Sequence, residues 1–96
     1  YSFERIFARQ VESLGREGDV LIGISTSGNS ANVVGAMRQA QEKKMKSIAF
    51  VGLNGGKMEP ISDVCIKVPA KVTARIQEGH ILLAHILCEL VEEEYA

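Results

Sequence analysis

Residues 19–30, Asp19-Val20-Leu21-Ile22-Gly23-Ile24-Ser25-Thr26-Ser27-Gly28-Asn29-Ser30, set an apolar run directly against a cluster of hydroxyls. After Asp19 the run shows no polar alternation, the pattern of a strand covered on both faces in a parallel sheet. The second half carries glycine, asparagine and hydroxyl side chains, which is turn chemistry. A helical pattern follows at once. It predicts a helix over residues 30–44, with Val33, Val34, Met37 and Ala40 as the apolar stripe and Lys43 and Lys44 at the end where cations offset the dipole.

Further along, Ser47-Ile48-Ala49-Phe50-Val51 reads as a second buried strand, Asn54-Gly55-Gly56 as a turn, and Val64-Cys65-Ile66-Lys67-Val68 as a third strand closed by Pro69. From Thr73 a long helix is predicted to the end, with Ile76, Leu83, Ile86, Leu87, Leu90 and Val91 as its apolar face and Glu92, Glu93 and Glu94 as a solvated tail. Upstream, Phe3, Ile6, Phe7, Val11 and Leu14 fall at helical spacing. Ser2 is the candidate N-cap, and Gly15 stands where a helix C-terminal glycine is expected. These elements predict an α/β fold, a three-layer α/β/α arrangement with an open parallel sheet and right-handed crossovers. The strand at 20–24 reads as a central one, so a neighbour is expected that this chain does not supply. An exposed apolar edge strand is an aggregation hazard. The expectation is the C-terminal part of a longer α/β domain, residues 1–96, or else an edge covered by a second chain.

With 96 residues, 46% hydrophobic and 24% charged, the chain has the composition of one globular domain or a piece of one, which excludes disorder. The net charge is −1 and the basic residues are scattered, so no footprint for nucleic acid is expected. No apolar run approaches the roughly 20 residues of a membrane helix. Cys65 and Cys88 are too few for a disulfide framework and are expected as packing thiols of a reduced, cytoplasmic protein.

The serine loop lies beyond the carboxyl end of a strand, where open α/β sheets bind ligands. Ser25, Thr26, Ser27 and Ser30 supply hydroxyls, Gly28 permits close backbone approach, and a helix N-terminus follows. The loop has no lysine or arginine, so an anion there rests on neutral donors. Hydrogen bonds to a charged group contribute about 1.5–3 kcal/mol each, against about 0.3–1 kcal/mol for the dipole. The hydroxyls therefore dominate. The competing reading is a turn in which Asn29 or Ser30 merely caps the helix, but one cap explains one hydroxyl. The Walker pattern lacks its lysine, the dinucleotide glycines are misplaced, and a hydrolase elbow needs glycine at Ser27. No nucleotide cofactor is expected.

Three segments together carry a resemblance: Gly23-Ile24-Ser25-Thr26-Ser27-Gly28-Asn29-Ser30, then Asn54-Gly55-Gly56-Lys57-Met58, then Arg75-Ile76-Gln77-Glu78-Gly79-His80 with His85. They resemble the sugar isomerase (SIS) domain, and more narrowly its phosphoheptose isomerase branch, along essentially the whole chain. The resemblance implies a flavodoxin-like five-stranded parallel sheet of which this chain matches the last three strands. It implies a sugar-phosphate isomerase acting on sedoheptulose 7-phosphate in nucleotide-heptose and lipopolysaccharide-core precursor synthesis, with Ser25, Thr26, Ser27 and Ser30 on the phosphate and Asn29 both supporting the loop and binding at the phosphate site. It also implies a homotetramer with sites at subunit boundaries.

On the last helix Gln77 and His85 are eight apart, about 80° round and about 12 Å along the axis, so both can face one cleft, and His80 is a neighbour of Gln77. By spacing alone, a histidine between Ala84 and Ile86 is a packing residue. The resemblance implies instead that His85 is a general acid/base and that Gln77 and His85 can ligate zinc. An aldose–ketose isomerisation moves a proton between adjacent carbons through an enediol, and needs a base at carbon and a group that shuttles protons to the oxygens. Histidine suits the second task. In the family the carbon base is a glutamate one helical turn after a histidine. This chain has no such pair, so alone it is expected to be inactive. Glu78 points away from Gln77 and is read as structural, Arg75 either reaches a phosphate or pairs with Glu78, and Lys57 is a surface residue. The alternatives are a non-catalytic SIS relative, either a sugar-phosphate-binding regulator or a replication-initiator-associating protein, and a core-only fragment with no ligand.

Overall fold

The structure, a computed structural model, describes residues 5–95. Ser2 and Phe3 lie outside the described residues. Helix α1 (Ile6–Leu14) leads into strand β1 (Val20–Ile24), helix α2 (Ala31–Glu42) and strand β2 (Lys46–Val51). A 3-10 helix (Gly56–Ile61), strand β3 (Val64–Lys67) and helix α3 (Thr73–Tyr95) complete the chain. The sheet is parallel in the order β1-β2-β3, with Ile22 opposite Ile48 and Phe50 opposite Ile66.

Strand β2 is the centre of the molecule. Ala49 and Val51 meet Val34, Met37 and Met58 in one buried cluster under α2, and Val11 of α1 packs with Ala36 and Ala40 of α2. Successive side chains point to opposite faces of a strand. Phe50, between Ala49 and Val51, therefore faces the other side, where its ring lies 6.0 Å from the ring of His80 on α3. Helices thus cover both faces of the sheet, and the predicted α/β layering is present.

Burial departs from the sequence reading in three places. Val20 and Ile24 are 57% and 49% exposed, although their strand was read as covered on both faces. Val20, Ile22 and Ile24 point to the same face of β1, and on that face α3 packs over β2, leaving the edge strand β1 uncovered among the described residues. A mainly apolar cleft of about 650 Å³, lined by Phe7, Val11, Leu14, Leu21 and Met45 among others, runs beside it. The second departure is in the stripe of α1, where Ile6, Phe7 and Leu14 are exposed and the inward residues are Ala8 and Val11. The third is on α3. Ile76 and His80 are buried, whereas Ile86, Leu90 and Val91 are exposed, because past its first two turns the helix has little of the sheet left to cover.

The helix ends also differ from expectation. Gly15 closes α1 in an extended conformation, not a left-handed one, and a Cβ there would lie 2.6 Å from the Met45 Sδ atom, so close packing explains the glycine. Helix α2 stops at Glu42, two residues early, because Lys44 turns left-handed with φ of 59°. The Lys43 ammonium donates to the Glu12 carbonyl and ties α2 to α1.

Candidate functional site

The serine loop leaves β1 and is held by the end of β2. The Ser25 amide donates to the Phe50 carbonyl at 3.0 Å, and the Gly52 amide donates to the Thr26 carbonyl at 3.0 Å. A second loop locks it from below. Gly28 has φ of +72°, and a Cβ there would collide with the Gly55 carbonyl oxygen. Gly56 has φ of +61°, and its Cβ would lie 2.7 Å from the Ser27 and Gly28 carbonyl oxygens. Only glycine accepts both the left-handed backbone and that contact. The Met58 amide donates to the Gly28 carbonyl, and the Met58 side chain is fully buried beneath Gly23. Asn29 Oδ1 accepts the Lys57 amide at 2.8 Å, fastening the 3-10 helix to the loop.

The hydroxyls divide into two groups. Ser25 is 6% exposed, and its Oγ accepts the Gly28 amide at 3.2 Å and donates to Ser30 Oγ at 3.3 Å. Through these contacts Ser25 braces the loop from inside. Ser27 is exposed, accepts the Asn29 amide at 3.1 Å and lies 3.4 Å from Ser25 Oγ, which is long for a hydroxyl pair. Ser30 and Thr26 are half-buried. Ser30 occupies the N-cap position of α2 yet makes no side-chain cap bond, and the Asn29 side chain is engaged with Lys57. The simple capping reading is therefore not realised. Thr26, Ser27 and Ser30 keep protons to give, beside the uncapped positive end of a helix.

Opposite the loop, Ile24, Ser25 and Thr26 form one wall of a cavity of about 440 Å³, and Gln77, His80, Ile81 and Ala84 of α3 form the other. That volume lies within the roughly 300–1,000 Å³ usual for ligand pockets. Steps of three and four residues put 77, 80, 81 and 84 on one helical stripe. His85 is one residue, about 100°, further round; it is exposed and does not line the cavity. The fold thus brings Gln77 to Ser25 and Thr26, while Ser27, Asn29, Ser30 and His85 stand outside this cavity.

With loop, helix N-terminus and cavity placed, comparison with known sequences becomes informative. A sequence profile of the SIS domain matches residues 1–52, more than half of the chain. The chain belongs to the SIS domain family. Relatives match all of it: it is 54% identical over 96 residues to the phosphoheptose isomerase of Helicobacter pylori strain 26695, covering 100% of this chain and 50% of the relative. It is 52% identical over 93 residues to that of Aneurinibacillus thermoaerophilus, covering 97% and 47%. The structure of phosphoheptose isomerase from Neisseria gonorrhoeae superposes with a TM-score of 0.93 at 51% identity, over 97% of this chain and 52% of that one. The phosphoheptose isomerase from Francisella tularensis superposes with a TM-score of 0.93 at 41% identity, over 97% and 50%. The chain spans about half the length of the relatives it matches.

Within this SIS domain His80, by spacing only a neighbour of Gln77, has a structural place of its own. His80 is 3% exposed, its Nε2 lies 2.8 Å from the Val51 carbonyl oxygen, and its Nδ1 is buried with no hydrogen-bond partner. Leaving a buried polar atom unpaired costs about 1–3 kcal/mol. The available signal was its place four residues after Ile76, on the stripe that packs against the sheet. Other residues resolve simply. Arg75 pairs with Glu78 at 2.9 Å on the exposed side of α3. Cys65 is half-buried, and burial, then the nearby Glu59 carboxylate, push its thiol above the usual range against the pull of Lys67. Cys88, expected to pack, is exposed because its part of α3 has no cover. For zinc, Gln77 and His85 are only two donors, on different flanks of α3, and the described residues hold no group of three or more His, Cys, Asp or Glu able to take a metal. These residues alone do not make a zinc site.

Proposed function

We propose that the chain is the phosphate-gripping part, C-terminal within its SIS domain, of a phosphoheptose isomerase that interconverts sedoheptulose 7-phosphate and D-glycero-manno-heptose 7-phosphate. The observation that carries this is the serine loop. Three hydroxyls with protons to give surround an uncapped helix N-terminus, in a chain 54% identical to an enzyme of that name. In this reading Thr26, Ser27 and Ser30 donate to the phosphate oxygens, while Ser25 and Asn29 hold the loop in shape. Gln77, across the cavity from Thr26, orients the sugar chain. His85, exposed beside the cavity-facing stripe, moves a proton between the oxygens as the enediol forms and collapses, at a site that residues outside this chain complete, and a base outside this chain removes and returns the carbon-bound proton. A zinc ion on Gln77 and His85 would need further ligands from outside these residues.

The same reading carries a cytoplasmic homotetramer. Its support is the exposed apolar surface of α3 at Ile81, Leu82, Ile86, Leu90 and Val91. Among the described residues no helix is long and apolar enough to cross a membrane.

The test uses the complete protein. Sedoheptulose 7-phosphate titrated against wild type and Ser27→Ala should bind at least about tenfold more weakly to the variant, the loss of one hydrogen bond to a charged group. His85→Ala should abolish turnover with binding retained. Equal binding by Ser27→Ala and wild type would remove the phosphate site. Binding without turnover in wild type would leave a sugar-phosphate-binding protein and no isomerase.

A further inference from the structure

The residues at the end of β2, Phe50-Val51-Gly52, are the common support of both walls of the cavity. Phe50 and Gly52 hold the serine loop through their main-chain groups. Val51 holds α3, because its carbonyl accepts the His80 ring in addition to the Val68 amide. A carbonyl oxygen has two lone pairs, so both bonds are made at once. Among the described residues, the His80 bond is the one hydrogen bond joining α3 to the sheet. Gln77 lies one turn before His80 on the same stripe and on the same cavity wall.

A carbonyl can only accept, so the ring nitrogen facing it carries the proton. In a neutral imidazole the other nitrogen then holds a lone pair. We propose that His80 is a positioning residue: with a proton on Nε2, it clamps α3 to Val51 and so sets the distance from Gln77 and His85 to the serine loop. The inference rests on the isomerase reading for its kinetic consequence, but not for the tautomer. The phosphate grip belongs to the loop, which is tied to β2 by its own main-chain bonds and does not depend on His80. The groups assigned to proton transfer and substrate orientation belong to the helix. Releasing the clamp therefore leaves the grip in place and moves the helix groups, so the rate of the chemical step falls while substrate capture is kept. A misplacement of about 1 Å costs on the order of 100-fold in rate.

Two substitutions in the complete protein separate the clamp from packing. His80→Phe keeps a ring against Phe50 and loses the donor. His80→Gln loses the ring and restores an N–H within reach of the Val51 carbonyl. The expected result with sedoheptulose 7-phosphate is a kcat lowered about 10- to 100-fold in His80→Phe with KM changed less than about threefold, and a kcat within about fivefold of wild type in His80→Gln. Equal loss in both variants, or no loss in His80→Phe, overturns the clamp. Independently of activity, long-range ¹⁵N–¹H spectra of histidine-labelled wild-type protein should show a His80 proton on Nε2, and a proton on Nδ1 alone overturns the proposal whatever the kinetics. A wild-type protein without isomerase turnover removes the functional reading and leaves the spectra to judge the clamp.

Discussion

The serine loop and helix α3 face each other across one cavity and are built in opposite ways. The loop is held at nearly every residue: Ser25 and Thr26 by the end of β2, Gly28 by Met58, and Asn29 by Lys57. Helix α3 is 23 residues long, yet only Ile76 and His80 are buried, and its later turns show Ile86, Leu90 and Val91 to the surroundings. The loop therefore has its shape within this chain. The helix takes its pose from two residues near its start and offers the rest of its length to whatever packs there. In free-energy terms, substitutions in the loop should act on folding, and those along the outer helix on association.

The largest effect is expected from Gly28→Ala. A left-handed backbone costs a non-glycine residue about 1–2 kcal/mol, and here a methyl group would also meet the Gly55 backbone. The complete protein should lose at least about 2 kcal/mol in denaturant titration; a loss under half of that would show that the two loops part easily. Asn29→Ala should come next. It removes the acceptor of the Lys57 amide, an exposed bond, at about 1 kcal/mol or less in the same measurement. The smallest effect on folding, within about 0.5 kcal/mol, is expected for Ile86→Ser on the outer helix. That variant should instead lower the assembled fraction in sedimentation velocity. An unfolding midpoint that falls as far for Ile86→Ser as for Gly28→Ala would erase the contrast between the two regions.

Much of this architecture can be read from the chain. Apolar runs at 20–24, 47–51 and 64–68 became strands within a residue or so, and the start of α3 at Thr73 was read correctly. Local pattern sufficed there because strand and helix periodicities are local properties. Burial was less legible, since it depends on neighbours. Val20 and Ile24 are apolar for a cover that the described residues do not provide, and Ile86 and Leu90 follow the same logic. Asn54-Gly55-Gly56 reads as a turn, yet a 3-10 helix starts at Gly56 and accommodates Pro60 within it. At the candidate site the hydroxyls were visible but their division of labour was not. Ser25 turns inward while Ser27 faces out on a loop whose left-handed Gly28 sits against the distant Gly55, a contact that spacing does not reveal. His80 looked like a spectator of Gln77 because spacing reports the face of a helix and not the carbonyl waiting opposite it.

Met58 adds a chemical consequence. Its thioether is fully covered under Gly23, while its amide holds Gly28. Peroxide oxidises an accessible thioether to a polar sulfoxide, and this one becomes accessible only when the floor beneath the hydroxyls lifts. The rate at which the sulfoxide accumulates would therefore time that lifting in a native sample. A bound sugar phosphate should slow it, and once formed the swollen polar side chain should keep the floor from closing again.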